Sequence, residues 1–322
     1  MRRICIAAFV IALLAPLVRA ETITVATYNV ELFQEHFSPT SQPIKDPELT
    51  QRLRKDADKD LWMVSQVILD PALSPDIICI EECCEQEQLS KFNTQWLKKA
   101  YETVIVFPTN SDRHQQLGMM LKPGFKVLER KDQYYLEKDS GTNERSERLF
   151  ARGPAFCLVQ SPGGYQFWVG VTHQKSKRDN SVDVAKWRNR EASRLHDIVK
   201  EIEKSGKGSG DVLLLGDMND ELGTQEFEQE AGGDSIGKIL GPEADGFVLA
   251  TKPLVDAGKI SYGGYWNPRF RSFIDHIMVT PEMKDQIQQV NVFQEGLARA
   301  ASDHYPVYIK INADAPSASA GK

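Results

Sequence analysis

Residues Val212–Asp220 read VLLLGDMND: four apolar residues, a glycine, then Asp217, Met218, Asn219 and Asp220. The apolar run has the length and composition of a buried strand. Such a strand ends in two acids and an amide only if its tip turns a corner or holds something charged. The ending recurs. ITVATYNV (Ile23–Val30) carries Asn29 near its end, and PDIICIEE (Pro75–Glu82) runs straight into Glu81 and Glu82. FWVGVTH (Phe167–His173) ends in His173, FIDHIMV (Phe273–Val279) carries Asp275 and His276, and SDHYPV (Ser302–Val307) opens with Asp303 and His304. Open sheets bind ligands at strand ends and the adjoining loops. Six polar strand ends are expected to form one site.

Around these ends the chain alternates strands and helices. Strands are expected at Thr22–Val30, Asp76–Ile80, Thr103–Phe107, Leu117–Leu121, Ala155–Gln160, Gln166–Thr172, Val212–Leu215, Phe273–Thr280 and Tyr305–Ile311, each rich in β-branched or aromatic residues. Two helical stripes stand out: Leu53, Ala57, Leu61, Val64 and Ile68 within Pro47–Leu69, and Val184, Trp187, Glu191, Leu195, Ile198 and Ile202 within Asp183–Lys204. Glu191 is the one polar residue on the second stripe. No linker divides the chain, so residues 21–312 are expected to be one α/β domain with β-sheets in the middle and helices outside. KSGKGSGD (Lys204–Asp211) precedes a strand and lacks the ending of a phosphate-binding P-loop.

Composition bounds the partners. The chain has 322 residues, 41% hydrophobic and 26% charged, as ordinary globular proteins do. Residues 1–20 have the pattern of a signal peptide: Arg2 and Arg3, the 15 apolar-rich residues from Ile4 to Val18, then Val18-Arg19-Ala20 as a cleavage site. That stretch is short of the roughly 20 residues that span a bilayer. Secretion or a periplasmic location is therefore expected, with no stable membrane insertion after cleavage. Residues 313–322 lack apolar periodicity and are expected to form a flexible tail. Losing Arg2, Arg3 and Arg19 takes the formal charge from −6 to −9, so net charge does not hold this chain to a polyanion. A polyanionic substrate needs a local basic patch or a bound cation. Cys79, Cys83, Cys84 and Cys157 remain, too few for a disulfide framework, with one bridge open and its pairing unspecified.

The chemistry of the strand ends is oxygen-rich. Asn29, Glu82, Asp217 and Asp303 are hard ligands, suited to Mg²⁺ or alternatively to Mn²⁺ or Ca²⁺, and no zinc-type Cys/His spacing exists. His173 and His304 suit proton transfer near neutral pH.

TYNVELF, PDIICIEE, VTHQKSK, GDMND, SFIDHIMVTP and SDHYPV together resemble the successive blocks of the endonuclease/exonuclease/phosphatase family, in order, from Thr24 to about Ile311. The resemblance implies a four-layer α/β sandwich, with two central, mostly antiparallel β-sheets flanked by helices. It also implies metal-dependent hydrolysis of phosphate esters, most directly by a nuclease of the deoxyribonuclease I-like kind with a DNA or RNA substrate. A phospholipid or sphingomyelin phosphodiesterase, or a non-catalytic binding module on the same fold, are the alternatives. Carried over block by block, Glu82 holds the metal with Asn29 beside it, and Asp303 contributes. Asp217 and Asn219 position water and a phosphate oxygen, Asp275 orients His304, and His173 is the second catalytic histidine. Arg152 in FARGP and Lys175 in HQKSK would contact substrate phosphate. No protein partner is implied.

Two departures and several alternatives accompany this. Glu81 stands where the family commonly has Gln, and strand alternation points Glu81 and Glu82 opposite ways. Only one is then expected to face the site, and register favours Glu82. TYNVELF is also one residue shorter than the block common in exported members. His276 alternates with Asp275 and is expected to be structural, and Asp220 to cap the turn. Lys177, Arg178, Lys186, Arg188 and Arg190 read equally as a phosphate-binding cluster or a charged surface. Arg269 and Arg271, beside Tyr262, Tyr265 and Trp266, form a second candidate surface for bases or a packed loop.

Overall fold

The computed structural model describes residues 21–37, 47–139, 147–177, 181–242, 246–263 and 271–314, with side chains undescribed at 36 and 47–57. The expected signal peptide, most of the tail, Arg178, Tyr265, Trp266 and Arg269 lie outside them, as do the side chains of Leu53 and Ala57.

Two six-stranded sheets form the middle of the molecule. The elements, in chain order, are β1 (Thr22–Asn29), α1 (Phe33–Phe37), α2 (Pro47–Leu69), β2 (Ile77–Cys83), α3 (Gln86–Gln95), β3 (Thr103–Phe107), β4 (Gln116–Leu121), β5 (Lys126–Lys131), β6 (Ala155–Gln160), β7 (Gln166–His173), α4 (Val182–Lys204), β8 (Val212–Asp217), α5 (Glu226–Gln229), α6 (Ser235–Leu240), β9 (Val248–Leu249), β10 (Asp275–Val279), β11 (Ile287–Val292) and β12 (Val307–Asn312). The first sheet runs β11-β12-β1-β2-β4-β3 and the second β5-β6-β7-β8-β10-β9. Only the central pairs, β1–β2 and β7–β8, are parallel; all the other pairings are antiparallel. Each parallel pair is joined by a long helix, α2 or α4, as a parallel crossover requires. This is the expected four-layer α/β sandwich.

The three strands not foreseen, β5, β9 and β11, are all sheet edges. KVLERK (β5) and IQQVNV (β11) are rich in polar residues because an edge strand is only partly covered, and β9 has two residues.

The run VLLL is apolar throughout because both faces of β8 are covered. Leu213 and Leu215 join the core between the sheets, whereas Val212 and Leu214 join a second core with Leu195, Ile198 and Ile202 of α4. The inter-sheet core also takes Ile23 and Val25 of β1, Val169 and Val171 of β7, and Ile277 and Val279 of β10. Because side chains alternate along a strand, Asp217, Asn29, His173 and Asp275 continue those same rows outward. One parity rule brings four strand ends to a common point.

Gly216 makes this approach possible. Its φ is +145°, and a Cβ there would lie 1.9 Å from the carbonyl oxygen of Thr172 on β7. Cys79, Cys83, Cys84 and Cys157 are all buried free thiols. Among the described residues no helix is long and apolar enough to cross a membrane.

Candidate active site

Asp217 is the centre. In the second sheet it stands in register with His173 on one side and Asp275 on the other. Across the sandwich its Oδ2 accepts a hydrogen bond from Asn29 Nδ2 at 3.0 Å, so the two sheets are tied together at the site. The same oxygen lies 3.4 Å from His173 Nε2 and 3.8 Å from His304 Nε2. Burial, with Asp275 close by, pushes Asp217 up to about 7 against the pull of His304.

His304 is held by Asp275, whose two carboxylate oxygens lie 2.9 and 3.1 Å from Nδ1. This pair fixes the ring and leaves Nε2 facing the acids. Burial alone would lower the His304 pKa, but Asp275 and Asp217 hold it well above the ordinary histidine range. His173 is driven the other way, by burial and then by Arg152 and His304. Two histidines with opposite shifts beside one carboxylate suit acid–base division of labour.

A second acidic group adjoins Asp217. Glu82, Asp303 and Glu31 face one another; burial, then Asp303 and Glu82, push Glu31 up to about 7, and burial together with Glu82 raises Asp303. Glu82 Oε2 also accepts the Leu32 N–H at 2.9 Å, and Asn29 Oδ1 accepts that of Glu31 at 3.0 Å. Half-buried carboxylates that raise one another in this way are of the ligand type that a divalent cation takes. Among the described residues, ligand atoms of Asp217, Asp275 and His304 also cluster within 4.8 Å. In that group Nδ1 is already bonded to Asp275, whereas Glu82, Asp303 and Glu31 offer only the hard oxygen donors that Mg²⁺ takes.

The expectation that only one of Glu81 and Glu82 faces the site is corrected. The β2–β4 register shifts between Ile80 and Cys83, and Glu82 has φ +53°: a bulge breaks the alternation there. Glu81 continues the buried row, donated to by Thr27 Oγ1 at 2.6 Å and facing Asp275 and Asp217, and burial raises its pKa far above the usual carboxylate range. Glu82 is redirected to the acidic group.

Arg152 is buried, donating from Nη1 to the Gln174 carbonyl and from Nη2 to Gln115 Oε1, both at 3.0 Å, within the electrostatic reach of Glu82 and Asp217. Asn219, at φ +50°, donates its backbone N–H to Asp217 Oδ1 and its side-chain amide to the Gln174 carbonyl. Asn219 therefore braces Asp217 and the loop after His173. Lys175 has its ammonium over the Trp187 ring, 5.4 Å from the centroid.

The basic-cluster reading does not hold for Lys177, Arg188 and Arg190, which are ion-paired. Arg188 is 1% exposed and ion-paired to Asp220 and Glu228, Arg190 to Asp139, and Lys177 to Asp220 and Glu221. Asp220 is correspondingly more than a turn cap. His276 is structural as expected, bonded to Thr251 Oγ1 and the Asp220 carbonyl.

Glu31, Gln115, Gln174 and Glu191 were not anticipated at the site. Glu191 carried a signal, being the lone acid on an apolar stripe. Fully buried, its oxygens accept the N–H groups of Ala151 at 2.5 Å and Lys175 at 2.8 Å, holding the loops that carry Arg152 and follow His173. Glu191→Gln replaces one acceptor with an NH₂ facing a backbone N–H. It should lower kcat/KM about tenfold, the low end for losing such a support. Steady-state kinetics beside a melting curve check this, and unchanged kcat/KM would mean the clamp is dispensable.

Two packed sheets, each with a parallel central crossover, and acids, an amide and histidines at one set of strand ends define a phosphoesterase-type α/β sandwich. The sequence profile of the Endonuclease/Exonuclease/phosphatase family matches residues 26–304, and the chain belongs to that family. Its members are phosphoric ester hydrolases that depend on a divalent metal. Truncated Caenorhabditis elegans TDP2 is similar in structure, with TM-score 0.59 and 14% identity over 90% of this chain and 97% of that one. An endonuclease/exonuclease/phosphatase from Beutenbergia cavernae gives TM-score 0.59 and 15% identity over 91% and 72%. D. rerio TDP2 complexed with single-strand DNA product gives 0.51 and 16% over 90% and 99%. No match was found among curated protein sequences.

Proposed function

We propose that the protein is an exported, Mg²⁺-dependent phosphodiesterase that hydrolyses DNA or RNA. The observation that carries this is the position of Asp217 Oδ2, between the Nε2 atoms of His173 and His304 and next to the acidic group of Glu31, Glu82 and Asp303. Asp217 is placed to orient the attacking water, with Asn29 and Asn219 fixing its two oxygens. His304, steadied by Asp275, presents Nε2 to the phosphate, and His173 and Arg152 supply further positive or donor groups around it. Glu82 and Asp303 would hold the cation, with Asn29 and Glu31 beside them. When bound, Mg²⁺ supplies the charge that stabilises the non-bridging oxygens, and Mn²⁺ or Ca²⁺ are chemically acceptable substitutes. The single-strand DNA product held by a structural relative supports a nucleic-acid substrate. Export rests on residues 1–20 of the sequence. Among the described residues, the exposed large apolar side chains are Trp62, Leu128 and Leu136, spread over α2, β5 and the turn after it. That distribution favours no lipid surface.

The test is a substrate panel with mature protein and Mg²⁺ or Mn²⁺: plasmid and single-stranded DNA, RNA, bis-p-nitrophenyl phosphate and sphingomyelin. No cleavage of any diester would sink the hydrolase reading, and turnover of sphingomyelin alone would replace the nuclease reading. A second readout is independent of turnover. At a hundredfold excess over its Kd, Mg²⁺ should stabilise the fold by about 2.7 kcal/mol, raising Tm by roughly 4 °C for a chain of this size. EDTA should reverse the shift, and Glu82→Gln should abolish it; a shift that survives in the variant places the cation elsewhere.

A further inference from the structure

A concave cleft of about 330 Å³ lies beside the site, lined by Lys259, Arg271, Arg299, Gln294, Gly263 and Tyr305 among others. No carboxylate lines it among the described residues, and Lys259, Arg271 and Arg299 are all exposed. None of the three forms an ion pair among the described residues, unlike Lys177, Arg188, Arg190 and Arg194. One wall of the cleft is the backbone that carries the site. Gly263 donates its N–H to the Asp303 carbonyl at 3.1 Å, Tyr305 donates to that of Ser261 at 2.7 Å, and the Tyr262 and His304 rings are 4.8 Å apart.

On a chain of formal charge −6, a polyanion is repelled unless positive charge is gathered locally. Here three cations that form no ion pair among the described residues line one hollow that shares its wall with Asp303 and His304. We infer that this cleft is a subsite for the phosphates of a nucleic-acid strand flanking the bond that is cut. Arginine and lysine in an open groove track a strand's backbone without reading its sequence. This inference rests on the nuclease reading above and adds where the strand leaves the site.

The experiment compares kcat/KM on a 12-nucleotide single strand, as DNA and as RNA, with kcat/KM on bis-p-nitrophenyl phosphate, which has no flanking phosphates. In the wild type the strand should be strongly favoured. The triple variant Lys259→Ala, Arg271→Ala, Arg299→Ala should reduce that ratio at least tenfold. The salt slope of kcat/KM for the strand should fall by about 2, at roughly 0.7 per lost contact. The three side chains are exposed, and a melting curve verifies the fold, with Arg271→Gln alone as the milder variant. An unchanged ratio and slope in the folded variants overturns the subsite. Wild-type protein that hydrolyses the small diester but gains nothing from the strand overturns it too, leaving the hydrolase reading intact. Wild-type protein that cleaves neither overturns the hydrolase reading, and the subsite with it.

Discussion

His304→Ala should lower kcat on any phosphodiester the protein cleaves by about 10³- to 10⁴-fold, the combined loss of a proton-transfer group and of charge facing the phosphate. Among the described residues, His304 is the only histidine with a carboxylate on Nδ1 and its other nitrogen directed at Asp217 and Asp303, 3.8 and 3.9 Å away. Asp275→Asn should cost about 10²-fold or more, because an amide can still touch the ring but no longer stabilises its charged form. His276, the next residue on β10, supplies the control. It belongs to the opposite face, bonded to Thr251 and to the Asp220 carbonyl. His276→Ala should therefore act on melting temperature, leaving two buried groups unpartnered. Single-turnover rates and thermal melts of the three variants separate these outcomes. Retained turnover in His304→Ala would remove the centre of the proposed site.

Most of that site is legible because strand periodicity is simple arithmetic. Once VLLLGD is a strand, Leu213, Leu215 and Asp217 share a face, and the same counting aligns Asn29, His173 and Asp275 and excludes His276. The counting fails where the backbone leaves the regular pleat. At Glu81–Glu82 the bulge brings both acids near the site where one was expected, and a single sequence carries no period that announces a bulge. Contacts between loops were equally hidden. Gln115, Gln174 and Arg152 are distant in sequence and meet only once the sandwich is closed. The charged residues of α4 misled for another reason. Their pattern resembles a basic surface, yet Arg188 and Arg190 are neutralised by Asp220, Glu228 and Asp139 from three different segments.

Asp220 shows the consequence most sharply, and Asp220→Ala should be the most destabilising of the variants considered, by about 3 kcal/mol. The wild-type carboxylate accepts from Arg188 Nε at 3.2 Å and from the Ser235 backbone at 2.8 Å, with Lys177 at 3.4 Å, while Glu228 holds the other arm of Arg188 at 2.9 Å. Both Asp220 and Arg188 are almost wholly buried. The cost is therefore less the lost attraction than the guanidinium left half-paired out of water. Partial compensation by Glu228 keeps the loss at the low end for breaking a buried pair. Arg188→Met alone strands both Asp220 and Glu228 and should cost at least as much, and the double variant should cost less than the two single losses together. Urea unfolding of the two single variants and the double gives the coupling directly, and strict additivity would show that the pair is not a unit. The same network lies at the end of GDMND, so Asp220→Ala, assayed where it is still folded, should also lose activity through misplacement of Asp217 and Asn219. In the turn after β8 the residues proposed for the chemistry and the residue that anchors the fold are neighbours, and the ion network on α4 is what keeps the former in place.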